Sequence, residues 1–319
     1  MSLVKIIAFE IVNLRMKKEE NTLHTFKSLN DFHRVFGLPK PLHPLISFID
    51  IADLEPLPND FPKYMVMNFY KVSYKTGMCG QAKYGQNHYD FGEGGLVFTS
   101  PNQVFESSHG DHTNGSLFLV HPDFLLSYPL AKKIKDYGFF SYAANEALHL
   151  SENERKTIFS IFQIIDEELK SRIDDFSQDV MIAQLELLLN YCNRFYKRQF
   201  ITRKVANNHL LQKMEEILDN YFNDSTPLKQ GIPTVQLLSE ELNISPSYLS
   251  DMLRTLTGLS AQHHIHNKLV EKAKEMLSIS ELTVNEIAYQ LGFEYPQSFS
   301  RLFKSKSGVS PMEFRQSFN

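Results

Sequence analysis

Residues 283–315 constrain this chain more than any other stretch. Their pattern is helix, turn, helix, turn, helix. Thr283-x-x-Glu286 has the form of a capping box, in which a hydroxyl and a carboxylate each satisfy an orphan amide of the first turn. Val284, Ile287, Ala288 and Leu291 follow at helical spacing, which makes one face apolar. Gly292 stands where that helix has to stop. Pro296 suits the first turn of the next one, because its missing N–H has no intrahelical partner there. In this second helix Phe299, Leu302 and Phe303 share the inward side and leave Gln297, Ser300, Arg301 and Lys304 facing out, with Ser298 beside them. Gln and Arg can bond bidentately to adenine and guanine edges in the major groove, and Lys suits a phosphate. Ser310-Pro311-x-Glu313 opens a third helix with another capping box.

Pairs of short amphipathic helices occur in any helical bundle, so the specific signal is the string of residues. Ile287, Ala288, Leu291, Gly292, Phe293, Phe299, Ser300, Arg301, Phe303, Lys304, Gly308, Ser310, Pro311, Phe314 and Arg315 carry it. The segment closely resembles the second DNA-binding motif of the AraC/XylS family of transcription regulators. That resemblance implies double-stranded promoter or operator DNA as partner, contact with RNA polymerase, and often a small-molecule effector bound by a cupin-like N-terminal domain.

A weaker copy precedes it. Residues 234–254 align with the later motif at an offset of 49, then 50 after a slip in the turn. Leu242, Ile244, Leu249, Leu253, Gly258 and Ser260 match Leu291, Phe293, Phe299, Phe303, Gly308 and Ser310, so one supersecondary unit occurs twice. Between the copies, residues 261–277 read as one helix with Ile265, Leu269, Ala273 and Leu277 apolar. At about 1.5 Å per residue it spans about 26 Å. Flanking half-widths bring the two recognition helices to roughly the 34 Å between successive major grooves. The first recognition helix presents Ser247, Ser250, Asp251 and Arg254. Asp251 stands where the family commonly has a basic residue, and His264 and Lys268 depart from its usual aromatic residue and Arg.

Charge sharpens the reading. The 319 residues carry a net charge of −4, and residues 207–319 hold ten Lys and Arg against thirteen Asp and Glu. Bulk attraction to DNA is thereby excluded. Positive charge is local, at Arg301, Lys304, Lys306 and Arg315, while Arg194, Lys197, Arg198, Arg203 and Lys204 read as a solvated linker. Cys79 and Cys192 fit neither a zinc spacing nor a disulfide framework, so the expected compartment is a reducing cytoplasm. Residues 3–12 lean apolar, but Lys5 and Glu10 interrupt a run too short to span a bilayer, and no cleavage site follows. No membrane partner is expected. Residues 1–15 read as a ragged start, with Met16 as an alternative initiator.

From about residue 44 the pattern changes to short alternating segments: 45–51, 64–74, 87–91, 96–99, 103–106 and 116–120. Breakers such as Gly77, Gly80, Gly85 and Asn114-Gly115 lie between them. Such spacing suggests a small barrel or sandwich. A loose likeness to the family's cupin-like domain rests on Tyr89-Asp90-Phe91-x-Glu93-Gly94 and Phe98-x-x-Pro101-x-Gln103. A metal-binding barrel needs two His two residues apart on one strand. His88, His109 and His112 do not provide that, so no metal is expected. Tyr70, Tyr84, Tyr89 and Phe98 are candidates for an effector pocket, against the alternative that they are core. Helical periodicity begins at the Ser151-x-x-Glu154 box, with Ile158, Ile161, Phe162, Ile165 and Leu169 on one stripe. A second helix, 177–198, carries Met181, Leu185, Leu188, Cys192 and Phe195 as a coiled-coil-like seam, either for a homodimer or for an intramolecular pair.

The expected architecture is α+β in two domains. Residues 1–43 form an N-terminal extension and 44–150 a small cupin-like β-barrel sensor. Residues 151–200 form a helical packing or dimerisation segment, 201–206 a linker, and 207–319 an all-α double helix-turn-helix. The expected function is sequence-specific transcription regulation answering to a small molecule. The alternative is a regulator whose first domain only dimerises or touches a protein, and a barrel enzyme is disfavoured. No catalytic residue and no cofactor is assigned.

Overall fold

The computed structural model describes residues 23–58, 61–62, 64–76, 82–84, 87–89, 94–106, 114–143, 146–172, 174–224 and 226–318. The expectations for residues 1–15, Met16, Cys79, Asp90 to Glu93, His109 and His112 lie outside the described residues. The chain divides into two compact units after Tyr196.

In chain order the first unit contains β1 (Leu23–Phe26), α1 (Leu29–Val35), β2 (Ile46–Asp50), β3 (Tyr64–Met67), β4 (Tyr70–Thr76), β5 (Ala82–Tyr84), β6 (Asn87–Tyr89), β7 (Gly95–Thr99), β8 (Val104–Glu106), β9 (Asn114–Val120), α2 (Leu130–Lys133), β10 (Leu148–His149), α3 (Glu152–Lys170) and α4 (Ser177–Thr202). One sheet has the order β10-β7-β4-β9-β2, a second β1-β3-β8, and β5 and β6 form a separate pair. The described strands close no barrel. The segment read as one strand over 64–74 breaks at Asn68-Phe69, which sends β3 and β4 into different sheets.

Period-two alternation decides which side chains face which layer, since directly paired antiparallel residues share a face. Val72 pairs with Phe98 and Phe118, and Phe118 with Phe48. This face lies under α3 and residues 138–141. Phe48 meets Phe162 at 5.4 Å, Tyr74 meets Phe159 at 4.9 Å, and Phe98 meets Phe139 at 4.5 Å between ring centroids. On the other face Ile49, Leu117 and Leu119 share a core with Phe26, Met65 and Met67 of the second sheet and with Leu29, Phe32 and Phe36 in and after α1. Residues 23–43, expected as an extension, therefore supply a strand, a helix and four core side chains.

The Ser151 capping box is present and opens α3, which buries Ile158, Ile161, Phe162 and Ile165. Along α4, Met181, Leu185, Leu188, Cys192 and Phe195 are each at most 6% exposed within this single chain. Of the two readings of that seam, homodimer and intramolecular pair, this burial fits the intramolecular one. Hydrogen bonds from residues 122–146 border it: Lys133 Nζ to Glu186 (2.6 Å), Tyr137 Oη to Asn190 (2.9 Å), and Tyr196 Oη to the Glu146 carbonyl (3.1 Å). Burial also pushes the Cys192 thiol pKa up, which makes it an inert core group.

The second unit holds α5 (Lys204–Asn223), α6 (Thr226–Gln230), α7 (Val235–Leu242), α8 (Pro246–Thr257), α9 (Ala261–Ile279), α10 (Val284–Gln290), α11 (Pro296–Ser307) and α12 (Pro311–Gln316). Residues 201–206, expected as a linker, contain only a one-residue break at Arg203 between two helices. Buried Asn207 secures the break by donating to the Phe200 carbonyl at 2.7 Å. Helix α9 is the axis of this unit. Its buried line Ile265, Leu269, Ala273 and Leu277 packs among α5, α8, α10, α11 and α12.

The internal repeat reappears as repeated backbone chemistry. Asn243 and Gly292 occupy the left-handed region in corresponding turns, at φ 55° and 88°, and Gly258 and Gly308 end α8 and α11 at φ 77° and 82°. Ser260 and Ser310 then cap α9 and α12. Gly292 has a second constraint that Asn243 lacks, because a Cβ there would lie 2.5 Å from the Gly231 carbonyl carbon. Gly292→Ala is expected to lower stability by about 1 to 3 kcal/mol from backbone conformation alone, and further through that clash. Thermal melting of the full chain checks this, and an unchanged midpoint would show that the turn can move.

Candidate nucleic-acid interface

Two buried rings set the orientation of α11. Phe299 and Phe303 are fully buried, and their rings run in a chain from Phe293 (5.4 Å to Phe299) to Phe314 (5.5 Å to Phe303). A helix pinned on that side can present only the opposite one. Gln297, Ser298, Arg301 and Lys304 are exposed there, Ser300 lies at the margin, and Leu302 is half-buried. Gln297, Arg301 and Lys304 occupy positions i, i+4 and i+7, one stripe about two turns long.

Helix α8 is built on the same plan with a different surface. Ser245 caps it by accepting from the Tyr248 amide, Pro246 fills its first position, and Tyr248, Leu249, Met252 and Leu253 are buried. Arg254 is exposed, while Ser247, Ser250 and Asp251 are half-buried. Arg254 Nη1 donates to Asp251 Oδ1 at 3.1 Å, so the longest donor of this helix is engaged by a carboxylate one turn back. Sequence reading noted both residues without pairing them, although opposite charges at i and i+3 were the available signal.

Three other basic or polar positions resolve into structural roles. Lys268 lies 2.6 Å from Asp219 and 3.2 Å from Glu271, joining α9 to α5, and bonding to Asp219 raises its pKa. The His264 ring shares a hydrogen bond with Thr257 Oγ1 at 2.9 Å, and burial lowers its pKa, so it acts as a neutral packing ring. Arg315, expected in the exposed basic cluster, turns inward and donates from Nε to the Leu277 carbonyl at 3.4 Å. The exposed cations near the C-terminus are then Arg301, Lys304 and Lys306.

Two of the four candidate effector residues can be placed by their packing. Tyr70 and Phe98 are 8% and 2% exposed and pack on Phe140 at 5.0 and 5.6 Å, which fits the core alternative that the sequence left open for them. Tyr84 and Tyr89 lie in β5 and β6. Among the described residues no cluster of three or more His, Cys, Asp or Glu is placed to hold a metal ion. No helix of the described residues is long and apolar enough to cross a membrane.

Two helix-turn-helix units on a shared central helix, with an outward stripe of long hydrogen-bond donors on the second, define a DNA-binding regulator. A helix-turn-helix domain model matches residues 238–317. The chain is 24% identical over 257 residues to the HTH-type transcriptional regulator YfiF of Bacillus subtilis, covering 78% of this chain and 77% of that protein. It is 26% identical over 138 residues to the HTH-type regulator SAS0078 of Staphylococcus aureus, but spans 17% of that protein's length. Among solved structures, the C-terminal domain of the two-component response regulator yesN from Fusobacterium nucleatum is 34% identical, covers 33% of this chain and 95% of its own, and has a TM-score of 0.29. Residues 238–317 thus carry a helix-turn-helix domain, and the relatives that this chain resembles are HTH-type transcriptional regulators. The coarse function these findings support is that of a DNA-binding transcription regulator.

Proposed function

We propose that the chain reads a bipartite operator with α8 and α11 and couples that reading to a small organic effector held by its sheet-bearing unit. The observation that carries the DNA reading is the exposed stripe Gln297, Ser298, Arg301 and Lys304 on a helix pinned by Phe299 and Phe303. In this reading Gln297 and Arg301 contact base edges, Ser298 and Lys304 contact phosphates, and Ser300 borders the groove. Ser247, Ser250 and Arg254 contribute the weaker half-site, where Asp251 can accept from a cytosine amino group. The sheet-bearing unit, with residues 23–43 in its core, acts as the sensor and 207–319 as the reader, in the cytoplasm and in contact with RNA polymerase. A homodimer, if formed through α4, uses its outward side, where Val180 and Leu187 are 38% and 43% exposed.

Selection from random duplexes with the full chain tests the reading. The expected product is two half-sites one helical turn, about 10 base pairs, apart. A single short motif would remove the role of α8. Asp251→Ala, which releases Arg254 and takes a negative charge off the surface, is expected to tighten binding to all duplexes by about 1 kcal/mol at low salt. A titration at two salt concentrations checks this, and weaker binding confined to one base position would mark Asp251 as a reader of that base.

A further inference from the structure

The two recognition helices begin alike and differ at one position. Ser245-Pro246 opens α8 and Tyr295-Pro296 opens α11, at the offset of 50 that relates the two motifs. Behind these pairs corresponding residues are buried, Leu249 with Phe299 and Leu253 with Phe303. In α8 the Ser245 hydroxyl accepts from the Tyr248 amide at 3.2 Å, a side-chain cap of the kind that Thr234, Ser260, Thr283 and Ser310 make at α7, α9, α10 and α12. The tyrosine oxygen, at the far end of its ring, cannot turn back to the first turn. Helix α11 therefore begins without a side-chain cap, and the Ser298 amide bonds to the Tyr295 carbonyl at 3.0 Å. A cap that stabilises helices is forgone here.

What stands in its place is an exposed ring at the tip of the recognition surface. Tyr295 is 60% exposed. The Phe293 and Phe299 rings, 5.4 Å apart, anchor the chain on either side of the turn. Between them Glu294, Tyr295, Gln297 and Ser298 are exposed and Pro296 is half-buried. Tyr295 thus lies beside Gln297 and Ser298 at the N-terminal end of α11, the end that approaches base edges when such a helix enters the major groove. Pro296 holds its backbone ready, because a residue before proline is kept out of the helical region, and Tyr295 is extended at φ −126° and ψ 119°. A backbone set in advance has less ordering left to undergo on binding.

We propose that Tyr295 is a specificity-determining residue of α11, its ring packing on the C5-methyl of a thymine beside the bases that Gln297 and Arg301 contact. This rests on the reading of α11 as a DNA-recognition helix and adds an apolar preference to a stripe of polar and charged groups. The thymine methyl is the apolar feature of the major-groove edge, and aromatic side chains pack on it. The tyrosine hydroxyl offers a different contact, to a phosphate, which would carry no base preference.

Titration of the full chain with its selected duplex, each thymine replaced in turn by uracil, tests this, since uracil lacks only the methyl. At one position the replacement is expected to weaken native binding by about fourfold, the contribution of one buried methyl group. Tyr295→Phe should retain that effect and Tyr295→Ser should lose it. The thymine-to-uracil ratio is internal to each protein and does not depend on how well a variant folds. Tyr295→Ser also restores the cap, so it is expected to melt at or above the native temperature while binding the thymine duplex about fourfold or more weakly. A purely structural tyrosine would lower both together. The proposal is overturned if no position shows a uracil effect that Tyr295→Phe keeps and Tyr295→Ser removes, or if Tyr295→Phe loses as much affinity as Tyr295→Ser. Arg301→Ala on the same duplex separates this inference from the reading beneath it. If Arg301→Ala weakens binding and the Tyr295 variants do not, α11 reads DNA without Tyr295 and the inference alone fails. If neither changes binding, the reading of α11 fails and the inference with it.

Discussion

Leu188→Asp is expected to unfold the sheet-bearing unit, not merely to separate two protomers. Leu188 is fully buried within one chain, between Leu185 and Cys192 on the inward side of α4. A carboxylate there loses its hydration without gaining a partner, and the Leu packing is lost as well. Together these cost roughly 4 kcal/mol or more, a large share of the about 5 to 15 kcal/mol that holds a typical domain together. Chemical denaturation followed by circular dichroism should show an early loss of part of the signal. Leu187→Asp, one position round the helix and 43% exposed, is the matched control and should leave the fold intact. Sedimentation of that control then reports on the outward side of α4, and an unchanged monomer–dimer balance would remove Leu187 from any interface. A folded Leu188→Asp chain would mean that the seam opens easily, contrary to its burial.

The second large effect belongs to DNA. Arg301→Ala is expected to weaken binding to the selected duplex by about 1 to 3 kcal/mol and to relax preference at one base position, whereas Lys304→Ala should weaken all duplexes about equally. The difference follows from geometry, since a guanidinium can form a bidentate fork with a base edge and an ammonium acts as a point charge. Repeating the selection with each variant separates the roles. An unchanged motif at unchanged affinity for the Arg301 variant would remove it from the base-reading set.

The second unit was legible in the sequence because its elements are specified locally. The capping boxes at Thr283 and Ser310, the glycines at 258, 292 and 308, and the buried pair Phe299 and Phe303 lie where spacing alone puts them. The first unit was less legible because its order comes from pairing between distant strands. Nothing in residues 23–36 announces that Phe26 and Leu29 will join Leu117 and Leu119 in one core. The α4 seam shows a related limit. Heptad-like spacing tells that a face is buried but not by what, and segment 122–146, which borders it, carries too little periodicity to be named as the partner. Tyr70 and Phe98 read as either pocket or core, and the burial that favours core comes from pairing between distant strands, which no local pattern displays.

The pairing of Arg254 with Asp251 bears on how this regulator responds to ionic strength. A protein cation that neutralises a DNA phosphate releases condensed counterions, and each such contact steepens the fall of log K against log salt by about 0.9. A guanidinium that arrives with its own carboxylate releases little. With Arg301 on a base edge, the recognition surfaces would contribute through Lys304 and Lys306, a slope of about −2. Between 50 and 200 mM salt, that contribution weakens binding by less than about a hundredfold, against the roughly thousandfold or greater loss of a regulator with six or more phosphate contacts. Operator occupancy would therefore be set more by the reading of bases than by the osmotic state of the cell.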